Sequence, residues 1–137
     1  MLISQIIETG FPNLSVLDKV SFALHLMEDY DIQHLPVSVE EKFAGIVSKD
    51  DLMDAEETAT LASLQHQFIN AAVFSEDHFL TALKFASHFD ISLVPVINKN
   101  NEIEGIVSQK NIIRSLAMLL SVEEQGAIIV LEMDKRN

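Results

Sequence analysis

The chain has 137 residues, 48% of them hydrophobic, which is material for one compact domain or two small, mutually dependent halves. Its formal net charge of −12, with nine basic residues scattered among 21 acidic ones, excludes a generic nucleic-acid surface and disfavours an anionic membrane face. The absence of cysteine excludes disulfides, thiolate chemistry and Cys-ligated zinc, and agrees with a cytoplasmic setting.

No apolar run reaches the roughly 20 residues of a membrane helix. Met1-Leu2-Ile3-Ser4-Gln5 lacks the basic region and sustained apolar core of a signal peptide. Ile3, Ile6 and Ile7 stand at helical spacing ahead of Gly10, which predicts a short lead-in helix closed by glycine. Phe11-Pro12-Asn13-Leu14 reads as a brief extended segment. Asp18 is placed to cap a helix over about Lys19–Tyr30, with Val20, Ala23, Leu24 and Met27 as its core stripe and Phe22 and Leu26 on a second flank. Asp31-Ile32-Gln33-His34 breaks that helix. An alternating strand follows, Leu35-Pro36-Val37-Ser38-Val39, whose proline implies a strand start or a sheet edge. Glu40-Glu41-Lys42 turns the chain into Phe43–Val47 to complete a hairpin, and a helix from about Lys49 to Ala55 begins after Ser48. Residues 56–67 are polar around Leu61 and Leu64 and read as a helical or irregular bridge.

The second half repeats this order. Phe68–Val73 is a lead strand, Ser75–His78 a capping region, and Phe79, Ala82, Leu83 and Ala86 the stripe of a helix ending near Phe89, with Phe85 and Phe89 on its other flank. Asp90-Ile91-Ser92-Leu93-Val94-Pro95-Val96 matches Asp31–Val37 at an offset of 59, and Gly105-Ile106-Val107-Ser108 matches Gly45-Ile46-Val47-Ser48 at 60. The extra residue falls in the turn Asn98–Asn101, where insertions are tolerated. An aliphatic helix (Ile112, Ile113, Leu116, Leu120) closes the copy. One such unit is too small to be stable alone, so two copies pressed sheet to sheet as a pseudo-twofold pair are expected. Phe22, Leu26, Phe85 and Phe89 then become candidates for an interface between subunits.

Each Gly-Ile-Val-Ser run reads as a buried strand that ends at serine and turns into a helix, leaving a hydroxyl and free N–H groups at the junction. Such a junction favours a phosphate or a sugar hydroxyl. Ser48 and Ser108 are equally suited to act only as helix caps, and Asp51 as a first-turn residue favoured by the helix dipole. The histidines form no metal pattern, so His34 and His66 read as structural or solvated. The acidic run from Asp50 to Glu57 reads as a solvated face, with a divalent ion as the sharper alternative.

The two Asp-Ile-x-x-hydrophobic-Pro-Val segments, each followed by Gly-Ile-Val-Ser-x-x-Asp/Asn-Leu/Ile, resemble the tandem cystathionine-β-synthase (CBS) domain pair, or Bateman module, over about residues 1–120. The resemblance implies an α/β (α+β type) fold of two pseudo-twofold-related repeats, each a small β-sheet with two packed helices. It places them at residues 1–60 and 61–120 with a tail at 121–137. It further implies a regulatory module that binds AMP, ADP, ATP (with Mg²⁺ for the more charged nucleotides) or S-adenosylmethionine, and that pairs into a homodimer through its helices. Carried onto this chain, the family's ligand positions fall on Ser48 and Ser108 near phosphate or ribose, and on Asp51 for the ribose hydroxyls. Asn111 stands at the second ribose place, a departure that leaves that site to bind weakly, to bind another ligand or to stand empty. The first site is therefore favoured. Adenine is expected against Phe11, Pro12, Leu35 and Pro36 in one copy and against Ala71, Ala72, Val94 and Pro95 in the other, with Lys49 and Lys110 at the phosphate end.

The run Gly126–Met133 looks like the first strand of an ACT-like domain, which would make the chain part of a longer protein. No P-loop, Gly-x-Gly-x-x-Gly or nucleophile elbow is present, so the reading is a ligand sensor rather than an enzyme. The alternative is a structural dimerisation module with vestigial clefts.

Overall fold

The structure, a computed structural model, describes residues 1–122. In the first repeat, β1 (Leu14–Ser15) runs parallel to β2 (His34–Val39), which pairs antiparallel with β3 (Lys42–Ser48). Helices α1 (Val20–Tyr30) and α2 (Lys49–Met53) complete that repeat. The second repeat has α3 (Phe79–Phe89), a hairpin of β4 (Leu93–Ile97) and β5 (Ile103–Ser108), and α4 (Gln109–Val122). A 3-10 helix, Leu61–Gln67, forms the bridge and buries Leu61 and Leu64. This is the expected mixed α/β architecture.

The repeat extends to its smallest turns. The Asp18 carboxylate accepts from the Ser15 N–H at 2.8 Å, and Asp77 does the same from Phe74 at 2.9 Å, 59 positions on. Asp18 thus closes the turn before α1 instead of capping the helix. The first donors of α1 go to the bridge, Val20 N–H to the Ala59 carbonyl at 2.9 Å and Ser21 N–H to Glu57 at 3.1 Å. Asp31 and Asp90 end α1 and α3 in the left-handed region, with φ of 52° and 53°. Aspartate tolerates that conformation, and in both repeats it re-aims the chain into the next strand.

The segments leading into each repeat cross to the other one first. Glu8 exchanges both backbone hydrogen bonds with Ile106 of β5 (2.8 and 3.0 Å), and Ile69 exchanges both with Ile46 of β3 (2.8 Å each). Only afterwards does each lead reach its own sheet, Leu14 beside Val37 and Val73 beside Val96. The expected lead strand Phe68–Val73 is therefore an extended crossing held at its two ends. This explains the glycine of each Gly-Ile-Val-Ser run: a Cβ on Gly105 would lie 2.5 Å from the Glu8 carbonyl, and one on Gly45 2.6 Å from the Phe68 Cβ. The hairpin tips also meet, with Phe43 N–H donating to the Asn101 carbonyl at 2.8 Å and the Asn101 amide returning to Phe43 at 3.1 Å. One apolar core (Leu14, Val20, Met27, Leu35, Leu52) fills the first repeat. The second core (Phe79, Ile91, Val94, Ile112) also takes in Ile3, Phe43 and Ile46 of the first, so neither half is complete alone.

Two further expectations change. The lead-in helix is one 3-10 turn, Ile3–Gln5, because Ile3 and Ser4 spend their N–H groups on the carbonyls of Asp77 and Ser75, both at 2.8 Å. Pro36 is neither at an edge nor at a strand start: it is the third residue of β2, between β1 and β3. It is tolerated because its partner Ile46 turns both backbone groups away, toward Ile69, so no ladder bond there needs a proline N–H. The run Gly126–Met133 lies outside the described residues.

Candidate functional site

Each hairpin runs straight into a helix through its serine. Ser48 Oγ accepts from the Asp51 N–H at 3.2 Å, and Ser108 Oγ from the Asn111 N–H at 3.1 Å, so both serines are helix caps in fact. The next residue ties each junction to the entry of its own repeat's hairpin. Lys49 N–H donates to the Gln33 carbonyl just before β2, and Gln109 N–H to the Ser92 carbonyl just before β4, both at 2.8 Å.

A cleft of about 520 Å³ opens beside the Ser108 junction. Phe11 and Tyr30 form an aromatic wall, their ring centroids 6.4 Å apart and tilted by 48°. Glu8, Asp31, Gln33, Ser92, Ser108 and Lys110 supply its polar lining. It is built from both repeats, because the crossing lead carries Glu8 and Phe11 to the second hairpin.

A smaller cavity of about 290 Å³ lies toward the Ser48 side, lined by Gln33, His34, Asp50, Asp90, Ser92 and Gln109. At the offset of 60, Asp50 stands where the larger cleft has Lys110. His34 Nδ1 meets the Ser92 hydroxyl at 2.9 Å and the Ser92 N–H at 3.3 Å, across the two repeats. A backbone donor aimed at Nδ1 fixes it as an acceptor and the ring as neutral. Burial lowers the His34 pKa, against the opposing pull of Asp90 and then Asp50. The smaller cavity thus presents two carboxylates and a neutral imidazole to an anion. The larger one also carries two carboxylates, Glu8 and Asp31, and adds a cation, Lys110, and an aromatic wall.

The residues expected at a ligand are therefore regrouped. Phe11, Ser108 and Lys110 come together, whereas the sequence reading placed Phe11 with Ser48 and Asp51. Pro12 is half-buried beside Phe11. Leu35 and Val94 have 0% exposure and Ala71 has 4%, with Pro36 and Pro95 also buried, so these five are core and offer a ligand no surface. Ala72 packs against the second core. Ser48, Lys49 and Asp51 stay at the other junction, half-buried. Asn111 turns away from the large cleft: its amide donates to the Ile6 carbonyl at 3.3 Å and accepts from Arg114 at 3.2 Å. The sequence reading missed Glu8, Tyr30 and Gln33. Glu8 was detectable as the one carboxylate following Ile6 and Ile7, and Gln33 as the counterpart of Ser92 in the repeated Asp-Ile-x-x segment.

Among the described residues no group of three or more His, Asp or Glu side chains converges as metal ligands, and no helix is long and apolar enough to cross a membrane.

Comparison with known proteins agrees with this fold. The chain is 29% identical over 114 residues to an inosine-5'-monophosphate dehydrogenase of Korarchaeum cryptofilum, a match covering 82% of this chain and 24% of that enzyme. The chain thus spans about a quarter of the length of that curated relative. Among solved structures it is similar to a CBS domain pair/ACT domain protein of Thermotoga maritima (TM-score 0.78, 23% identity, 88% of this chain and 99% of the other). Two further similar structures hold ligands. CBSX2 was solved in complex with AMP (TM-score 0.69, 16% identity, 86% and 97% covered). A CBS domain pair was solved with 5'-methylthioadenosine and S-adenosyl-L-methionine (TM-score 0.65, 22% identity, 85% and 99% covered). The family model described as the CBS domain matches twice, at residues 3–58 and 70–118, and with both repeats so matched the chain belongs to the CBS domain family.

Proposed function

We propose that this chain is a regulatory, ligand-sensing CBS pair that binds an adenosyl compound in the cleft beside Ser108. The carrying observation is that cleft itself, about 520 Å³ between the two repeats, with Phe11 and Tyr30 on one side and the Ser108 junction on the other. The aromatic wall suits a base, and Gln33, Ser92 and Ser108 suit sugar hydroxyls. Support also comes from the two similar structures solved with AMP and with S-adenosyl-L-methionine. This choice reverses the preference for the Ser48 side, because the cavity there is smaller and its lining has neither an aromatic wall nor a lysine. In this reading residues 1–60 and 61–120 are the two repeats, the chain regulates rather than catalyses, and it works in the cytoplasm. Occupancy carries a signal through a difference in affinity between two packings of the repeats.

The test is a thermal-shift titration with adenosine, AMP, ATP with and without Mg²⁺, and S-adenosylmethionine. A single site at about 100 times Kd adds about 2.7 kcal/mol of stability. No shift with any of them refutes the sensor reading and favours a structural dimerisation module. That second reading has its own observation: Phe22 and Phe89 are 47% and 38% exposed on α1 and α3, with Leu26 and Phe85 half-buried on the same flanks. A homodimer through these faces is compatible with either reading.

A further inference from the structure

The two serine junctions differ at one matched place. Glu8 bonds Ile106 through both backbone groups as Ile69 bonds Ile46, so Glu8 and Ile69 occupy equivalent positions beside β5 and β3. From there the Glu8 carboxylate reaches Ser108, Oε1 to Oγ 3.4 Å. Ser108 already accepts from the Asn111 N–H and its own proton goes to Glu8, so the hydroxyl has no donor left for a ligand's anion and keeps one lone pair to accept from a sugar hydroxyl. A carboxylate therefore occupies the start of the 14-residue α4, the position that would otherwise draw a ligand's anion. Asp31 adds a second negative charge to the cleft lining, against Lys110 alone as a cation.

We propose that Glu8 is a specificity-determining residue that makes the Ser108 cleft select neutral or cationic adenosyl compounds and reject those carrying phosphate. The proposal rests on the adenosyl reading above and names the ligand class within it. A phosphate at the start of α4 meets the Glu8 carboxylate at close range, whereas Lys110 is exposed and its attraction is screened by water. A ligand with a sulfonium or ammonium group gains from Glu8 instead, with a smaller, water-screened contribution from the exposed Asp31. The net charge of −12 acts in the same sense.

Isothermal titration of the full chain with adenosine, S-adenosylmethionine and AMP tests this, on the wild type and on Glu8→Gln. Glutamine keeps the length of the side chain and an acceptor for Ser108 while removing the charge, and the backbone bonds to Ile106 do not depend on it. The wild type should bind adenosine and S-adenosylmethionine at least about tenfold tighter than AMP, and Glu8→Gln should shift that ratio toward AMP by about tenfold or more. AMP binding the wild type as tightly as adenosine, or a ratio unmoved by Glu8→Gln, overturns the assignment of Glu8 and leaves the adenosyl reading standing. No binding of any of the three by either variant overturns the adenosyl reading, and this one with it. A readout on the wild type alone stands beside these: added salt should weaken S-adenosylmethionine and strengthen AMP as the carboxylates are screened. AMP weakening with salt contradicts the proposal.

Discussion

Gly105→Ala probes the crossing of the lead segments, on which the composite cleft depends. The new Cβ would stand 2.5 Å from the Glu8 carbonyl oxygen and 2.8 Å from Ile7 Cγ1, so the lead must move away from β5. Overpacking of this kind costs about 1–3 kcal/mol. Weakening the paired Glu8–Ile106 hydrogen bonds adds roughly 1 kcal/mol. A total of about 3 kcal/mol corresponds to a fall in Tm of roughly 12 °C, at about 4 °C per kcal/mol for a chain of this size. Gly10→Ala is the control. Gly10 has φ +74° with nothing within 4 Å of a built Cβ, so alanine there meets only backbone strain, about 1 kcal/mol. Urea unfolding followed by circular dichroism separates the two variants. A Gly105→Ala loss no larger than that of Gly10→Ala would refute the close approach, and with it the assembly of the cleft from both repeats.

His34 gives the chain a pH dependence of known sign. Its lowered pKa means the folded state binds fewer protons than the unfolded one. The stability it contributes is therefore full above the ordinary histidine value of about 6.5 and declines as pH falls from there toward the folded value. Urea midpoints between about pH 7.5 and 5.5 should slope less in His34→Gln than in the wild type, and equal slopes would contradict the neutral, buried ring. Ser48→Ala should cost about 1 kcal/mol through loss of the α2 cap, since Ser48 holds the Asp51 N–H, and an unchanged urea midpoint counts against that role. Charge on the exposed flank of α1, as in Phe22→Glu, should lower the mass seen by sedimentation at micromolar concentration while leaving the α1 core contacts of Val20, Ala23 and Met27 in place. An unchanged mass rules that face out as the interface.

The repeat was legible because local signals recur at nearly fixed spacing: apolar stripes at helical period in α1 and α3, an aspartate ending each, and a Gly-Ile-Val-Ser run in each hairpin. The cleft was less legible because its walls come from distant parts of the chain. Glu8 and Ser108 are 100 positions apart, and no periodicity reports a crossing whose main link is a pair of backbone hydrogen bonds. Pairing the leads with their own hairpins put Phe11 beside Asp51. The mismatch at the phosphate end was present in the sequence, since an offset of 60 sets Lys49 against Gln109 and Asp50 against Lys110. Leu35 and Val94 were misread because a strand residue flanking a motif proline fits a ligand wall or a core equally well, and burial decides for the core.

The most direct test is a two-dimensional NMR titration of the ¹⁵N-labelled chain with S-adenosylmethionine. The expected result is a saturable set of amide shifts at Phe11, Tyr30, Gln33, Ser108 and Lys110, with the exposed outer face of α1 unmoved. Shifts confined to Ser48, Lys49 and Asp51, or none at millimolar ligand, would contradict a binding cleft beside Ser108.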